Sequence, residues 1–173
     1  VHADRSPAKD MLTPSGRRAP RSLIYAVAAC TGLGVVLWIL LIGLAPYLKS
    51  IGSGWNRVVY AVFAPTCHQI DSRCITVFGH PMAVCARCLG IYLGFLVGTI
   101  LFPWYNRRQQ ALALPRARTF VCLTIPIGVD TIGNLLTLWS TPHLLRLGLG
   151  WAWGMVLPFY FIPGLVDVLT RRA

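Results

Sequence analysis

Four of the six cysteines fall between residues 67 and 88, with two histidines among them. The run reads Cys67-His68-Gln69, then Cys74, then His80, then Cys85-Ala86-Arg87-Cys88. Thiolates and imidazoles bind zinc, and a tetrahedral site needs four such ligands, commonly as close pairs from separate segments. Cys85 and Cys88 supply one pair. Cys67 with His68, Cys74 or His80 would supply the rest. The same sulfurs could pair as disulfides on the oxidising side of a membrane, or act as thiol nucleophiles if a helix N-terminus lowers their pKa. Leu89 stands where haem attachment needs a histidine directly after Cys88. The spacing matches no recognisable iron–sulfur pattern. Metal, disulfide and redox-active thiol therefore stay open. Metal is the expectation, because His68 adjoins Cys67 and has no role in a disulfide. Cys30 and Cys122 stand alone in apolar runs and read as small packing residues.

The second chemistry-bearing group is intramembrane. Asp130, Asn134 and Thr137 recur at helical spacing in an otherwise apolar run. A carboxylate near the middle of a span is expensive and is usually paired or protonated. Arg87 and Arg146 are the candidate partners. Asp130, Asn134 and Arg146 are expected to brace the bundle, with a proton relay or ligand site as the rival reading. His143 reads as a loop residue. No Ser-His-Asp set, carboxylate pair or phosphate loop is present, so enzyme chemistry has little to work with.

These groups need helices to hold them. Of 173 residues, 55% are hydrophobic and 12% charged, against about a quarter charged in an ordinary soluble domain. About 20 apolar residues span a bilayer core. Residues 22–48, 88–106, 119–140 and 147–166 meet that length, with residues 82–87 as the lead-in to the second run. Residues 58–65 are apolar but too short and read as an interfacial helix. Gly90, Gly94 and Gly98 give the second run a flat packing face. Gly150 and Gly154 do the same for the fourth. Trp104, Tyr105, Trp139, Trp151 and Trp153 sit near span ends as an interfacial belt.

The resulting expectation is an all-α integral membrane protein of four transmembrane helices with both termini inside. Lys and Arg support this orientation: eleven lie in the tail, the loop after the second run and the C-terminus, and five on the other side. Residues 1–21 read as a flexible basic cytoplasmic tail and 22–173 as the membrane domain. Residues 49–84 form its outer loop. The net charge of +11 follows span ends, which points to membrane orientation rather than nucleic acid. The apolar run after the basic start is too long for a signal-peptide core.

Cys67-His68-Gln69, Asp71-x-Arg73 and Val84-Cys85-Ala86-Arg87-Cys88-Leu89-Gly90-Ile91-Tyr92-x-Gly94 resemble the signature of a family of predicted bacterial and archaeal membrane proteins, domain of unknown function number two thousand and eighty-five. The resemblance is specific over residues 67–98 and continues through Asp130, Arg146 and Gly150. That family typically carries Ser where this chain has Cys74. The resemblance thus implies Cys67, His68, Cys85 and Cys88 as the family's own set and Cys74 as a departure from it, which weakens a site that requires Cys74; on the residues alone Cys74 and His80 stay possible ligands. It implies no activity.

The expected function is a non-catalytic accessory subunit of a larger membrane complex, respiratory or photosynthetic, in a bacterial or archaeal inner membrane. Its expected partners are the lipid bilayer and other membrane subunits. A zinc site would brace the outer loop. The rivals are a quinone-linked thiol-disulfide oxidoreductase and a small transporter or metal handler. A bound lipid, quinone or pigment has no motif to indicate it.

Overall fold

The computed structural model describes residues 10–16, 18–107, 112 and 117–172. It is mostly helical. In chain order the elements are β1 (Asp10–Leu12), β2 (Arg18–Pro20), α1 (Arg21–Ser50), α2 (Trp55–Phe63), β3 (Cys74–Val77), β4 (His80–Cys85), α3 (Ala86–Asn106), α4 (Ala117–Leu135), α5 (His143–Val156) and α6 (Pro158–Arg172). A 3-10 turn, Asp71–Arg73, precedes β3. Three stretches are long and apolar enough to cross a membrane: α1, α3, and the α5–α6 run His143–Arg171. Only 17% of the most apolar window of α1 is buried, and Leu33, Leu37, Leu40, Ile100 and Ile125 are exposed. Apolar side chains on the outside of a helical bundle identify lipid as the solvent.

Pro46, Pro103, Pro126 and Pro163 lie inside helices, while Pro158, which has no N–H to donate, opens one. Leu157 separates α5 from α6 because Pro158 cannot donate at that position, so the expected fourth run is two helices in series. At the other boundary, residues 82–85 are strand, and Cys85 is the N-cap of α3 with extended backbone.

Two antiparallel hairpins interrupt the expected all-α architecture. In the second, β3 pairs with β4, setting Val77 against His80 and Cys74 against Cys85. Its turn residues, Phe78 and Gly79, have φ of 53° and 75°. A two-residue turn with both φ positive matches the twist of the strands it joins. The first hairpin lies in the segment expected to be a flexible tail. Met11 and Ala19 are buried with Ile24, Phe102, Ile162 and Val166, the Ser15 hydroxyl donates to Asp167, and the Leu112 N–H donates to the Leu12 carbonyl at 2.8 Å. Met11 and Ala19 enter the core while Leu12, between them in the hairpin, stays exposed, and that burial outweighs the entropy that a Pro- and Arg-rich segment loses on ordering. Residues 1–9 lie outside the described residues.

Helix α3 packs on α5 backbone to backbone. Gly90, Gly94 and Gly98 lie against Leu147, Trp151 and Met155, while Gly150 and Gly154 lie against Arg87 and Ile91. A Cβ at any of these five glycines would collide with a carbonyl oxygen of the facing helix. Both series ascend together, so the two helices run parallel. Helix α4 runs the other way. Phe120 meets Tyr160 at a ring separation of 5.7 Å, the Trp153 indole donates to Thr124 at 2.9 Å, and Arg146 donates to Asn134 at 2.6 Å. Both glycine faces are therefore taken up within the chain, as the ordinary packing reading expects. Cys30 and Cys122 are exposed on their helices and do not pack within the bundle.

Candidate metal centre and the polar cluster beside it

Three of the sequence-predicted ligands converge. The sulfurs of Cys67, Cys85 and Cys88 lie within 4.8 Å of one another. Each arrives by a different local device. Cys67 ends the turn that follows α2, its N–H bonded to the Phe63 carbonyl at 3.0 Å. Phe63 is fully buried and meets Trp38 of α1 edge-on at 4.7 Å, which anchors that turn. Cys85 closes β4 as the N-cap of α3, and Cys88 is the third residue of that helix. Ala83 and Val84 just before it are fully buried beside Ile42 and Ala45 of α1. Both stand at the positive end of the helix, but hydrogen bonding to the Cys67 and Cys85 sulfurs, together with burial, pushes the Cys88 thiol up.

The Cys67 sulfur is built as an acceptor. The Cys85 N–H donates to it at 3.2 Å. Hydrogen bonds from the Cys85 and Cys88 thiols, and then from the backbone of Gln69 and Cys85, hold Cys67 far below the usual thiol range, against the opposing effect of burial. Gln69 adds a smaller backbone contribution. Its φ is 50°, a region uncommon for a side-chain-bearing residue, and its side chain secures that turn by donating to the Tyr60 carbonyl at 2.7 Å. Tyr60 in turn donates to the Pro81 carbonyl at the foot of β4. Gln69 was legible as part of the motif, but its role as a positioning residue was not, because it acts through its backbone.

The remaining candidates stay apart from the trio. Cys74 is buried, 3% exposed, and faces Cys85 across the hairpin. Burial, aided by the negative charge of Cys67, Cys85 and Asp71, pushes its thiol up to about 12. His68 is exposed, and His80 sits beside the hairpin turn, paired with Val77. Neither joins the three sulfurs among the described residues. All six cysteines are free thiols. A trigonal set of three sulfurs, one acting as hydrogen-bond acceptor for the other two, suits a soft ion such as zinc or copper(I). It also suits exchange with an incoming disulfide, since the acceptor sulfur of Cys67 lies beside two further cysteines.

Arg87, between the two cysteines of the motif, leads to the polar cluster. Its guanidinium pairs with Asp130 of α4, the two side chains being 17% and 9% exposed, and it also donates to Thr131 at 2.7 Å. The Thr141 hydroxyl donates to Asp130 as well. Asn134 donates to the Asp130 carboxylate at 3.0 Å and to Thr141 at 2.7 Å, while accepting from Arg146 at 2.6 Å. Of the two expected partners of Asp130, Arg87 binds it directly and Arg146 reaches it through Asn134. Thr137 leaves the expected stripe. It has φ of 57° beyond the helix end, and its hydroxyl donates to the Leu136 carbonyl. Thr131 and Thr141 take its place. Asp130 is also nearer the helix end than expected, because α4 stops at Leu135. The Trp139 ring there folds back over Gly133, where any Cβ would collide with it. His143 is the first residue of α5 rather than part of the loop.

No solved structure matches this chain. An uncharacterised protein of Methanocaldococcus jannaschii is 33% identical over 146 residues, covering 81% of this chain and 93% of the relative. An uncharacterised protein of Methanothermobacter thermautotrophicus is 32% identical over 92 residues, covering 51% of this chain and 77% of the relative. Residues 67–160 match the family described as "Predicted membrane protein (DUF2085)". That stretch starts at Cys67, takes in all three clustered sulfurs and every member of the Asp130 network, and ends within α6, and on this match the chain belongs to the DUF2085 family of membrane proteins.

Proposed function

We propose that this chain is a non-catalytic, multi-pass protein of an archaeal or bacterial cytoplasmic membrane. In this proposal Cys67, Cys85 and Cys88 bind one zinc ion that locks the outer loop onto α3. The observation that carries it is the convergence of three sulfurs from two segments 18 residues apart, with backbone N–H donors aimed at one of them. Zinc with three thiolates keeps a fourth position, and exposed His68 is the neighbouring residue able to fill it by turning its side chain. Metal analysis of gently purified protein, with thiol counting before and after chelation, tests the proposal. About one zinc per chain, and thiols that become reactive on chelation, is the expected result. A metal-free protein with fully reactive thiols refutes it.

We further propose four membrane crossings with both termini inside. Three helical stretches qualify by length and composition, and α4 carries Arg118, Asp130 and Asn134 in its 19 residues. Parallel α3 and α5 support a fourth crossing, since two consecutive spans that run the same way need the chain to return between them. Nineteen residues of α4 reach about 28 Å at 1.5 Å per residue, close to the roughly 30 Å core of a bilayer. Asp130 and Asn134 of α4 face Arg87, Thr141 and Arg146 rather than lipid, which lowers the cost of the crossing.

The accessory role is supported by the binding of the Asp130 carboxylate by Arg87, Thr141 and Asn134 together, as in a structural brace. Internal use of the glycine faces removes one surface that a partner subunit could have used. Native mass in mild detergent decides between a lone chain and a subunit. A thiol oxidoreductase is the second reading, favoured by one depressed thiol beside two others. It predicts a disulfide among the trio whose redox state responds to quinone, in protein that carries no metal.

A further inference from the structure

We propose a second site, independent of the cysteine trio: a receptor for a phosphate-type oxyanion at the N-terminus of α5. A cavity of about 670 Å³ lies between the 3-10 turn, the end of α4 and the start of α5, lined by Arg73, Ser140, Thr141, His143 and Arg146 among others. Its volume falls within the range of small-molecule sites.

Arg146 is the central observation. The residue is 6% exposed. Its Nη2 donates to Asn134, yet its Nε and Nη1 are buried without a hydrogen-bond partner. A buried guanidinium with unmet donors is costly, and its planar fork matches a phosphate or carboxylate edge. No carboxylate answers its charge among the described residues. Asp130, the one acid of this network, is paired with Arg87, and the other ion pair joins Asp167 to Arg171. Arg73 brings to the same cavity a second cation with no ion-pair partner among the described residues, held by a bond of 3.3 Å to the Asn134 carbonyl.

The helix makes the same demand. The first turn of α5 contains His143 and Arg146 and no acid. A cation at a helix N-terminus opposes the macrodipole. An anion in the cavity would satisfy the dipole and both arginines together. Two guanidinium groups with no ion-pair partner among the described residues, and neighbouring hydroxyls, match a tetrahedral, multiply charged oxyanion better than a single carboxylate. Its source is either free phosphate or the headgroup of an anionic lipid, since the cavity lies beside helices with apolar outer faces.

The test uses the full chain, purified in detergent and delipidated in chloride buffer. Calorimetric titration with inorganic phosphate is one arm. Native mass spectrometry after exposure to phosphatidylglycerol or phosphatidylcholine is the other. Each arm is run on wild type, Arg146→Gln, Arg73→Gln and, as a basic control outside the cavity, Arg57→Gln. The expected result is one bound phosphate per chain, or selective retention of one phosphatidylglycerol over phosphatidylcholine. Binding should weaken at least about tenfold in both cavity variants and stay unchanged in Arg57→Gln, on the ground that a lost charge-assisted bond is worth about 1.5–3 kcal/mol. The arm that responds identifies the source. Should Arg146→Gln fail to fold, Arg73→Gln decides, because half-buried Arg73 makes one long bond. Absence of binding in both arms, or equal binding by wild type and Arg73→Gln, overturns the proposal.

Discussion

Arg87 and Asp130 form an ion pair that joins α3 to α4, and Arg87 stands between Cys85 and Cys88. The cysteine motif therefore fixes two things at once. Its sulfurs lie beside Cys67 and the β3–β4 hairpin, while its arginine holds α4 through a carboxylate that also binds Thr141 and Asn134.

Breaking that pair on one side should be costly. Asp130→Leu leaves Arg87 buried without its counter-charge, for which about 3–5 kcal/mol of destabilisation is expected. Asp130→Asn keeps hydrogen bonding and should lose less. The double variant Arg87→Met with Asp130→Leu should be more stable than Asp130→Leu alone, since no charge is then stranded. Thermal unfolding in detergent, followed by tryptophan fluorescence, checks the order; equal melting temperatures for wild type and Asp130→Leu would count against a bracing role.

The α3–α5 contact tolerates no side chain. Gly94→Ala puts a Cβ onto the Trp151 carbonyl oxygen, and overpacking of this kind costs about 1–3 kcal/mol. Gly43→Ala, in a helix interior with nothing within 4 Å of the added carbon, should be neutral or stabilising by about 0.5–1 kcal/mol. Comparison of the two melting temperatures is the check, and a Gly94→Ala protein as stable as Gly43→Ala contradicts the packing.

Metal content should separate the cysteines. Cys67→Ser, Cys85→Ser and Cys88→Ser are each expected to lose most of the zinc. Cys74→Ser, Cys30→Ser and Cys122→Ser should keep it. Gln69→Ala touches no metal but releases the turn that aims its N–H at Cys67, and loss of such a supporting contact typically costs about 10–100-fold in affinity. Competition with a chromophoric chelator measures each. His68→Ala should weaken binding as well if the histidine turns in.

Cys74 gives a pH dependence of definite sign. Burial raises its thiol from the ordinary 9.0 to about 12, so the folded state holds this proton more tightly than the unfolded state does. The resulting stability is complete below about pH 9 and is lost progressively as pH rises towards 12. Denaturant midpoints measured from pH 8 to 11 should fall more steeply for wild type than for Cys74→Ala. Parallel slopes would show that another group governs alkaline unfolding.

The orientation is open to labelling. In a background without native cysteines, Ser53→Cys should react with an impermeant maleimide in intact cells and Arg107→Cys should not. The reverse pattern would invert the proposed topology.

The sequence by itself determined the membrane class, the apolar helices, the short helix before Cys67 and the nomination of Cys67, Cys85 and Cys88 as one cluster. These follow from local quantities: run length, hydropathy and the spacing of Cys85 and Cys88 on one helix turn. It also carried the packing role of Gly90, Gly94 and Gly98, because a four-residue repeat is a property of one helix. Tertiary structure alone decided which helix fills that face, and that α3 and α5 run parallel. It decided that Arg87 binds Asp130 while Arg146 keeps two donors unmet, since each choice depends on where separate helices end. It ordered residues 10–20 as a hairpin through burial against α1 and α6. And it set Cys74, His68 and His80 apart from the three sulfurs, because the hairpin register places Cys74 opposite Cys85 and His80 at the far end. Pairing across a hairpin and docking between helices depend on residues distant in the chain, and no spacing along it encodes them.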